Sequence, residues 1–171
     1  MKYAKFLFVL VLALSSAAKA DDAATGKARI DIVGNASKIT LKAGDLSDGV
    51  TAMNNPGVSG AGPVQSIAFQ MPVDNTAWKT MTFKFTPETD GKVQISLRGE
   101  YHKDSQVWVY FDDLQVTGAT VSNGDFEDAG KKDIPKDWTA RPGQHPVIVK
   151  DANIVKSGKS CVEVSHSNRL Q

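Results

Sequence analysis

The chain has 171 residues, 41% of them hydrophobic and 23% charged, with 20 basic against 19 acidic side chains and a single cysteine. Charge so nearly balanced gives no electrostatic footprint for nucleic acid or an anionic membrane surface, and one cysteine excludes both an internal disulfide and a thiolate metal cluster. The length suits one domain with a full core and is short for two.

Residues 1–20 (MKYAKFLFVLVLALSSAAKA) set Lys2 and Lys5 ahead of an apolar run over 6–14 and end in Ala18-Lys19-Ala20. That is the pattern of an export signal cut after Ala20. The apolar run falls short of the roughly 20 residues that a spanning helix needs, so no membrane span is expected. Cleavage removes three lysines and no acid, which turns the formal charge from +1 to −2. The expected product is 21–171, in the periplasm or outside the cell.

Beyond the polar lead, period-two alternation dominates and helical periodicity is nearly absent. ARIDIV (28–33) and KITLKA (38–43) read as strands separated by a turn, and 45–63, rich in Gly, Asn, Ser and Pro, reads as a long loop. Strands resume at 64–70 and 79–86, where Met81, Phe83 and Phe85 share a face. After the Asp90-Gly91 turn, 92–98 aligns Val93, Ile95 and Leu97, and the two runs are expected to form a hairpin. QVWVYFDDLQVT (106–117) is the most strongly β-forming stretch. Weaker strands at 146–150 and 159–166 bring the candidates to eight. The pattern predicts an all-β fold, an antiparallel β-sandwich of the jelly-roll type.

Several of these runs resemble a known family. WKTMTFKFTP (78–87), then Asp90-Gly91-Lys92-Val93 and VWVYFDDL (107–114), are similar to the closing half of the carbohydrate-binding-module-like jelly rolls of the galactose-binding-domain-like group. NGDFE (123–127), Pro135, Trp138, SGKS (157–160) and VEV (162–164) resemble their opening half. The halves stand in reversed order. The resemblance therefore implies one circularly permuted sandwich over 21–171, with closing-half motifs in 64–120 and opening-half motifs in 121–171. The alternative is a whole sandwich over 21–120 followed by a truncated second copy. Permutation is physically inexpensive when chain ends lie together at the surface, and a truncated copy would leave Phe126, Trp138, Val147, Val149, Val162 and Val164 without partners.

A sugar site needs flat apolar rings for C–H faces and a few planar polar groups for hydroxyls. Along 106–117, Val107, Val109 and Phe111 face one way, and Trp108 and Tyr110 the other. The second row either forms a sugar platform or packs beneath a loop. Tyr101, in the polar loop 99–105, is a further contact candidate, with Gln94, Arg98 and Gln106 as hydrogen-bonding partners; that loop reads equally as a solvated tip. The resemblance makes Trp78 and Trp138 structural. It also implies a structural calcium near Asp113, Asp125 and Glu127, hard oxygen ligands of the type calcium takes; otherwise Asp112 or Asp113 only braces a turn.

Catalysis is weakly supported, a small polysaccharide-cleaving enzyme being the third reading, since glycoside hydrolysis needs two carboxylates at a defined separation. His102, His145 and His166 lack metal-ligand spacing, and there is neither a Gly-x-Ser-x-Gly elbow nor a glycine-rich phosphate loop. Cys161, in the run Ser160-Cys161-Val162, reads as a small buried side chain. The expected function is non-catalytic binding of a polysaccharide or oligosaccharide. The alternative is an envelope structural or adaptor protein that binds a protein partner through the same sandwich.

Overall fold

The structure, a computed structural model, describes residues 6–16, 26–34, 39–54, 66–74, 76–87, 92–103 and 106–171. The described strands are β1 (Phe6–Ser16), β2 (Gly26–Gly34), β3 (Ile39–Thr40), β4 (Thr51–Asn54), β5 (Ser66–Val73), β6 (Lys79–Pro87), β7 (Val93–Gly99), β8 (Trp108–Thr117), β9 (Val147–Val149) and β10 (Cys161–Ser165). They form two antiparallel sheets, one in the order β3-β6-β1-β8-β10-β9 and the other β4-β5-β2-β7. The fold is an all-β sandwich.

Alternation explains the core. On β2, Ala28, Ile30 and Ile32 point inward; on β5, Ile67, Phe69 and Met71; on β6, Met81, Phe83 and Phe85. The two layers meet ring on ring: Phe69 stacks on Phe83 at 3.8 Å between centroids and lies 6.4 Å from Phe85. Each such ring removes a large apolar surface from water, the main favourable contribution to folding.

One expectation is corrected here. β6 and β7 do not form a hairpin, because β6 lies in the six-stranded sheet and β7 in the four-stranded one. β7 pairs instead with β2, from Ala28↔Gly99 to Gly34↔Val93. Matched apolar faces arise equally when two strands face the same core from opposite layers, so the pattern could not distinguish a hairpin from a crossing. The Asp90-Gly91 turn lies outside the described residues. The expected loop 45–63 carries sheet pairing over its described part, 45–54: Leu46 bridges to Phe83, the Lys84 N–H donates to the Asp45 carbonyl at 2.7 Å, and β4 pairs with β5.

The C-terminal residues pack on the earlier strands. β10 pairs with β8 from Val162↔Phe111 to Ser165↔Trp108, β9 pairs with β10, and Leu170 exchanges backbone hydrogen bonds with Leu97 at 2.8 and 3.1 Å. The NGDFE run is a clasp. Phe126 is fully buried with its ring 5.4 Å from that of Trp138, whose indole N–H donates to the carbonyls of Ser122 and Asn123. The Asn123 side chain ties the carbonyls of Asp128 and Lys136 and the Asp128 N–H together. The Gly124 carbonyl accepts from Leu114 N–H at 2.8 Å, an approach so close that a Cβ would collide with the Leu114 carbonyl oxygen.

The backbone of β1, the apolar centre of the expected export segment, lies between β6 and β8. Among the described residues no helix is long and apolar enough to cross a membrane.

Candidate functional site

The outward face of the four-stranded sheet is polar, and most of it is buried. Arg29 and Asp31 alternate with the core residues of β2, Gln94, Ser96 and Arg98 with those of β7, and Ser66 and Gln70 with those of β5. Register sets Arg29 opposite Arg98 on one side and Gln70 on the other, with Asp31 opposite Ser96. Asp31 joins the two arginines: Arg29 Nε lies 2.7 Å from Oδ1 and Arg98 Nη1 lies 3.2 Å from Oδ2, with the Asp31 and Arg98 side chains 5% and 9% exposed. Such a triad is held by geometry, since the cost of desolvating its charges is offset only when each is paired. Burial nonetheless pulls the Arg98 guanidinium down to about 10, against the attraction of Asp31. Its Nε and the hydroxyls of Ser66 and Ser96 are buried without a hydrogen-bond partner among the described residues.

At the end of β7 this network reaches a surface depression. Arg98 Nη2 lies 3.4 Å from His166 Nδ1. A guanidinium only donates, so Nδ1 accepts and the proton of the neutral ring sits on Nε2. Burial first, and then the charges of Arg98, Arg169 and Arg29, lower the His166 pKa and keep the ring neutral. The Tyr101 ring meets His166 edge-on at 5.1 Å and is 63% exposed. Gln106 donates from Nε2 to Ser165 Oγ at 2.9 Å and Ser167 Oγ at 3.2 Å, which fixes the plane of its amide. Tyr101, Gln106, His166, Glu100 and Lys103 line a hollow of about 350 Å³ between the loop that follows β7 and the end of β10. Glu100 is tied to Lys27 at 3.0 Å.

Of the residues expected to bind sugar, Tyr101, Arg98 and Gln106 therefore converge. The others lie apart. Gln94 is exposed four residues back along β7, about 13 Å from Arg98 at strand rise, where it borders a different hollow beside Trp138. Trp108 is half-buried, and Tyr110 is only 5% exposed and belongs to the core cluster. The row Trp108, Tyr110, Asp112 is thus not an open platform. Over it passes the segment 151–157: Asp112 Oδ2 accepts from the N–H groups of Lys156 and Ser157, Trp78 Nε1 donates to the Ile154 carbonyl at 3.0 Å, and Ile154 and Val155 pack on the core.

No family model, curated protein or solved structure matches the chain. The case for a site rests on its own geometry.

Sequence pattern gives no binding role to His166, Ser165, Ser167, Arg29 or Asp31. A signal existed for Arg29 and Asp31: RIDI places a charged side chain at every second position of a strand whose other face is apolar, as QISLR does with polar ones. His166 reaches the site only through the β8–β10 pairing, which local pattern does not reveal.

Asp113, Asp125 and Glu127 do not converge. Asp113 accepts from Gln115 Nε2 at 2.9 Å and has Lys156 Nζ at 4.0 Å; Asp125 is exposed; Glu127 Oε1 accepts from the N–H groups of Lys159 and Ser160 at 2.8 and 3.0 Å. Among the described residues no group of three His, Cys, Asp or Glu side chains is placed to hold a metal ion. The Cys161 thiol is buried, and burial together with Asp112 and Glu163 pushes it up to about 12, so it is not poised as a nucleophile.

Burial raises the Asp112 carboxyl above its usual value of 3.8, although the amides of Ser157, Asp113 and Lys156 oppose it. Its Oδ1 has no hydrogen-bond partner among the described residues. A folded-state pKa above the unfolded one means that the native state holds the proton longer. Stability from this group is complete below the unfolded value and declines as pH rises through the raised one. Asp112→Asn keeps an acceptor for the two N–H groups and removes the charge. The variant is expected to melt above wild type at neutral pH and to lose that advantage as pH falls toward about 4, measured by calorimetry across the range.

Proposed function

We propose that the protein is an exported, non-catalytic carbohydrate-binding β-sandwich, with a glycan held at the hollow formed by Tyr101, Gln106 and His166. The observation that carries this reading is the exposed Tyr101 ring beside polar groups whose orientation is already fixed. The ring offers a flat apolar face to sugar C–H groups, and the Gln106 amide and the His166 Nε2–H offer hydrogen bonds to hydroxyls. Because these partners are braced by Ser165, Ser167 and Arg98, little side-chain freedom remains to be lost on binding. Glu100 is the carboxylate among the described lining residues, and its pairing with Lys27 holds it at the rim.

The test is a glycan array, followed by calorimetric titration of the best ligand with wild type and Tyr101→Ala. Loss of one stacked ring is expected to weaken binding about tenfold or more, with an unchanged melting temperature because the ring is exposed. Equal affinity in the two proteins would remove Tyr101 from the site, and no binding across the array would favour the second reading, an envelope adaptor that engages a protein partner. One feature of the six-stranded sheet favours that second reading.

A further inference from the structure

β1 pairs with β6 from Phe6↔Phe85 to Leu12↔Lys79 and with β8 from Leu7↔Thr117 to Ser16↔Trp108, antiparallel to both. β6 and β8 consequently run parallel to each other on either side of it, about 9.5 Å apart at two strand spacings. Without β1, each would turn a row of unpaired N–H and C=O groups toward the gap. Beneath the gap lie β2 and β5, whose inward side chains include Ile30, Ile32 and Phe69.

Both walls of this gap are anchored from outside it. β6 is fixed by the stacking of Phe83 on Phe69. β8 is paired along its far edge with β10 and tied at Leu114 to the Gly124 carbonyl. To close the gap, one wall would have to slide a full strand spacing, breaking either the ring stack between layers or the pairing with β10. Close-packed interiors do not deform continuously over such distances.

The strand in the gap is the apolar run of the segment expected to be cut away on export. We propose that removal of residues 1–20 opens a strand-acceptor slot between β6 and β8, filled in trans by an extended apolar segment of a different protein, not a second copy of this chain, that hydrogen-bonds antiparallel to both walls. The occupant is apolar at every second position, to cover Ile30, Ile32 and Phe69, and uncharged on that face. It has no proline at its centre, where each N–H serves one wall or the other. This inference rests on the reading of 1–20 as an export segment and is independent of glycan binding, which uses the loop after β7.

The test uses the full gene exported to a bacterial periplasm and the purified product. Intact mass is expected to show a chain that begins at Asp21, and hydrogen exchange to show amides of β6 and β8 at least about tenfold less protected than those of β2 and β5. A synthetic peptide, FLFVLVLALSS flanked by lysines for solubility, is expected to restore that protection and raise the melting temperature, and the same peptide with proline at the position of Leu10 to do neither. Three results would overturn the proposal: an exported chain that retains residues 6–16; a processed monomer in which β6 and β8 are already protected, or which ignores the peptide; and a processed dimer whose self-association protects both walls, which would assign the slot to a second copy.

Discussion

Phe126→Ala is expected to destabilise the protein by about 3–5 kcal/mol, the cost of deleting a fully buried aromatic ring and leaving a cavity. Phe126 is wholly excluded from solvent and packs on Trp138 within the cluster that contains Phe83, Phe111 and Val162. Its backbone is held at φ 58, a left-handed conformation that a bulky residue adopts only when its surroundings insist. Ser160 Oγ caps its carbonyl at 3.0 Å, and the Glu127 side chain next to it grips the N–H groups of Lys159 and Ser160. Removing the ring therefore loosens the junction between the clasp, β8 and β10 together. At about 2–4 °C per kcal/mol for a domain of this size, the melting temperature should fall by about 10 °C. The informative measurement is urea denaturation followed both by tryptophan fluorescence and by far-ultraviolet circular dichroism. If the residues after 120 share one interior with the earlier strands, both probes move together to a lower midpoint with a single transition. A split transition, with the early strands unmoved, would mean that Phe126 belongs to a separate folding unit.

Strands were legible wherever alternation was strong. β2, β5, β6, β7, β8 and β10 each lie within a residue or three of where the apolar period places them, because apolar side chains recur at every second position on the face of each that meets the core. Their assignment to sheets was not legible. Met81, Phe83 and Phe85 match Val93, Ile95 and Leu97 whether the strands are neighbours or face each other across the core, and the choice is made by β2, which takes β7 as its partner. β4 escaped notice because TAMN at a sheet edge has no apolar alternation to announce it. Trp108 and Tyr110 show the same limit on the functional side. Period two gives their common face, but only the amide bonds from Lys156 and Ser157 to Asp112 show that a distant segment lies over it. Tyr101, Arg98 and Gln106 could be picked out as polar or aromatic residues at a strand end. Their convergence depends on His166, Ser165 and Ser167, some sixty residues later, which strand pairing alone brings alongside.

The same pairing makes Asp31→Ala the second large effect, expected at about 3–5 kcal/mol of lost stability. Asp31 is the sole carboxylate between Arg29 and Arg98 among the described contacts, and all three side chains are largely buried. Its removal does more than delete two ion pairs: it leaves two guanidinium groups facing each other across the β2–β7 register in a region of low polarisability, with Arg98 Nε already unpartnered among the described residues. The energetic origin can be isolated with a triple variant, Arg29→Met, Asp31→Leu and Arg98→Met, which removes the charges together and is expected to recover most of the loss, since a buried ionic cluster contributes little net stability relative to apolar side chains of similar volume. The two variants also separate stability from function. In Asp31→Ala, Arg98 is freed from its carboxylate and no longer holds the His166 ring by a defined geometry, so glycan binding should weaken beyond what partial unfolding explains. In the triple variant the fold is restored but the Arg98 contact to His166 Nδ1 is gone, so binding should remain weak at a near-normal melting temperature. Measured together by calorimetry and titration, a stable triple variant with wild-type affinity would show that the buried charges serve the sheet alone, whereas a stable one with poor affinity would show that they position the ligand-facing imidazole.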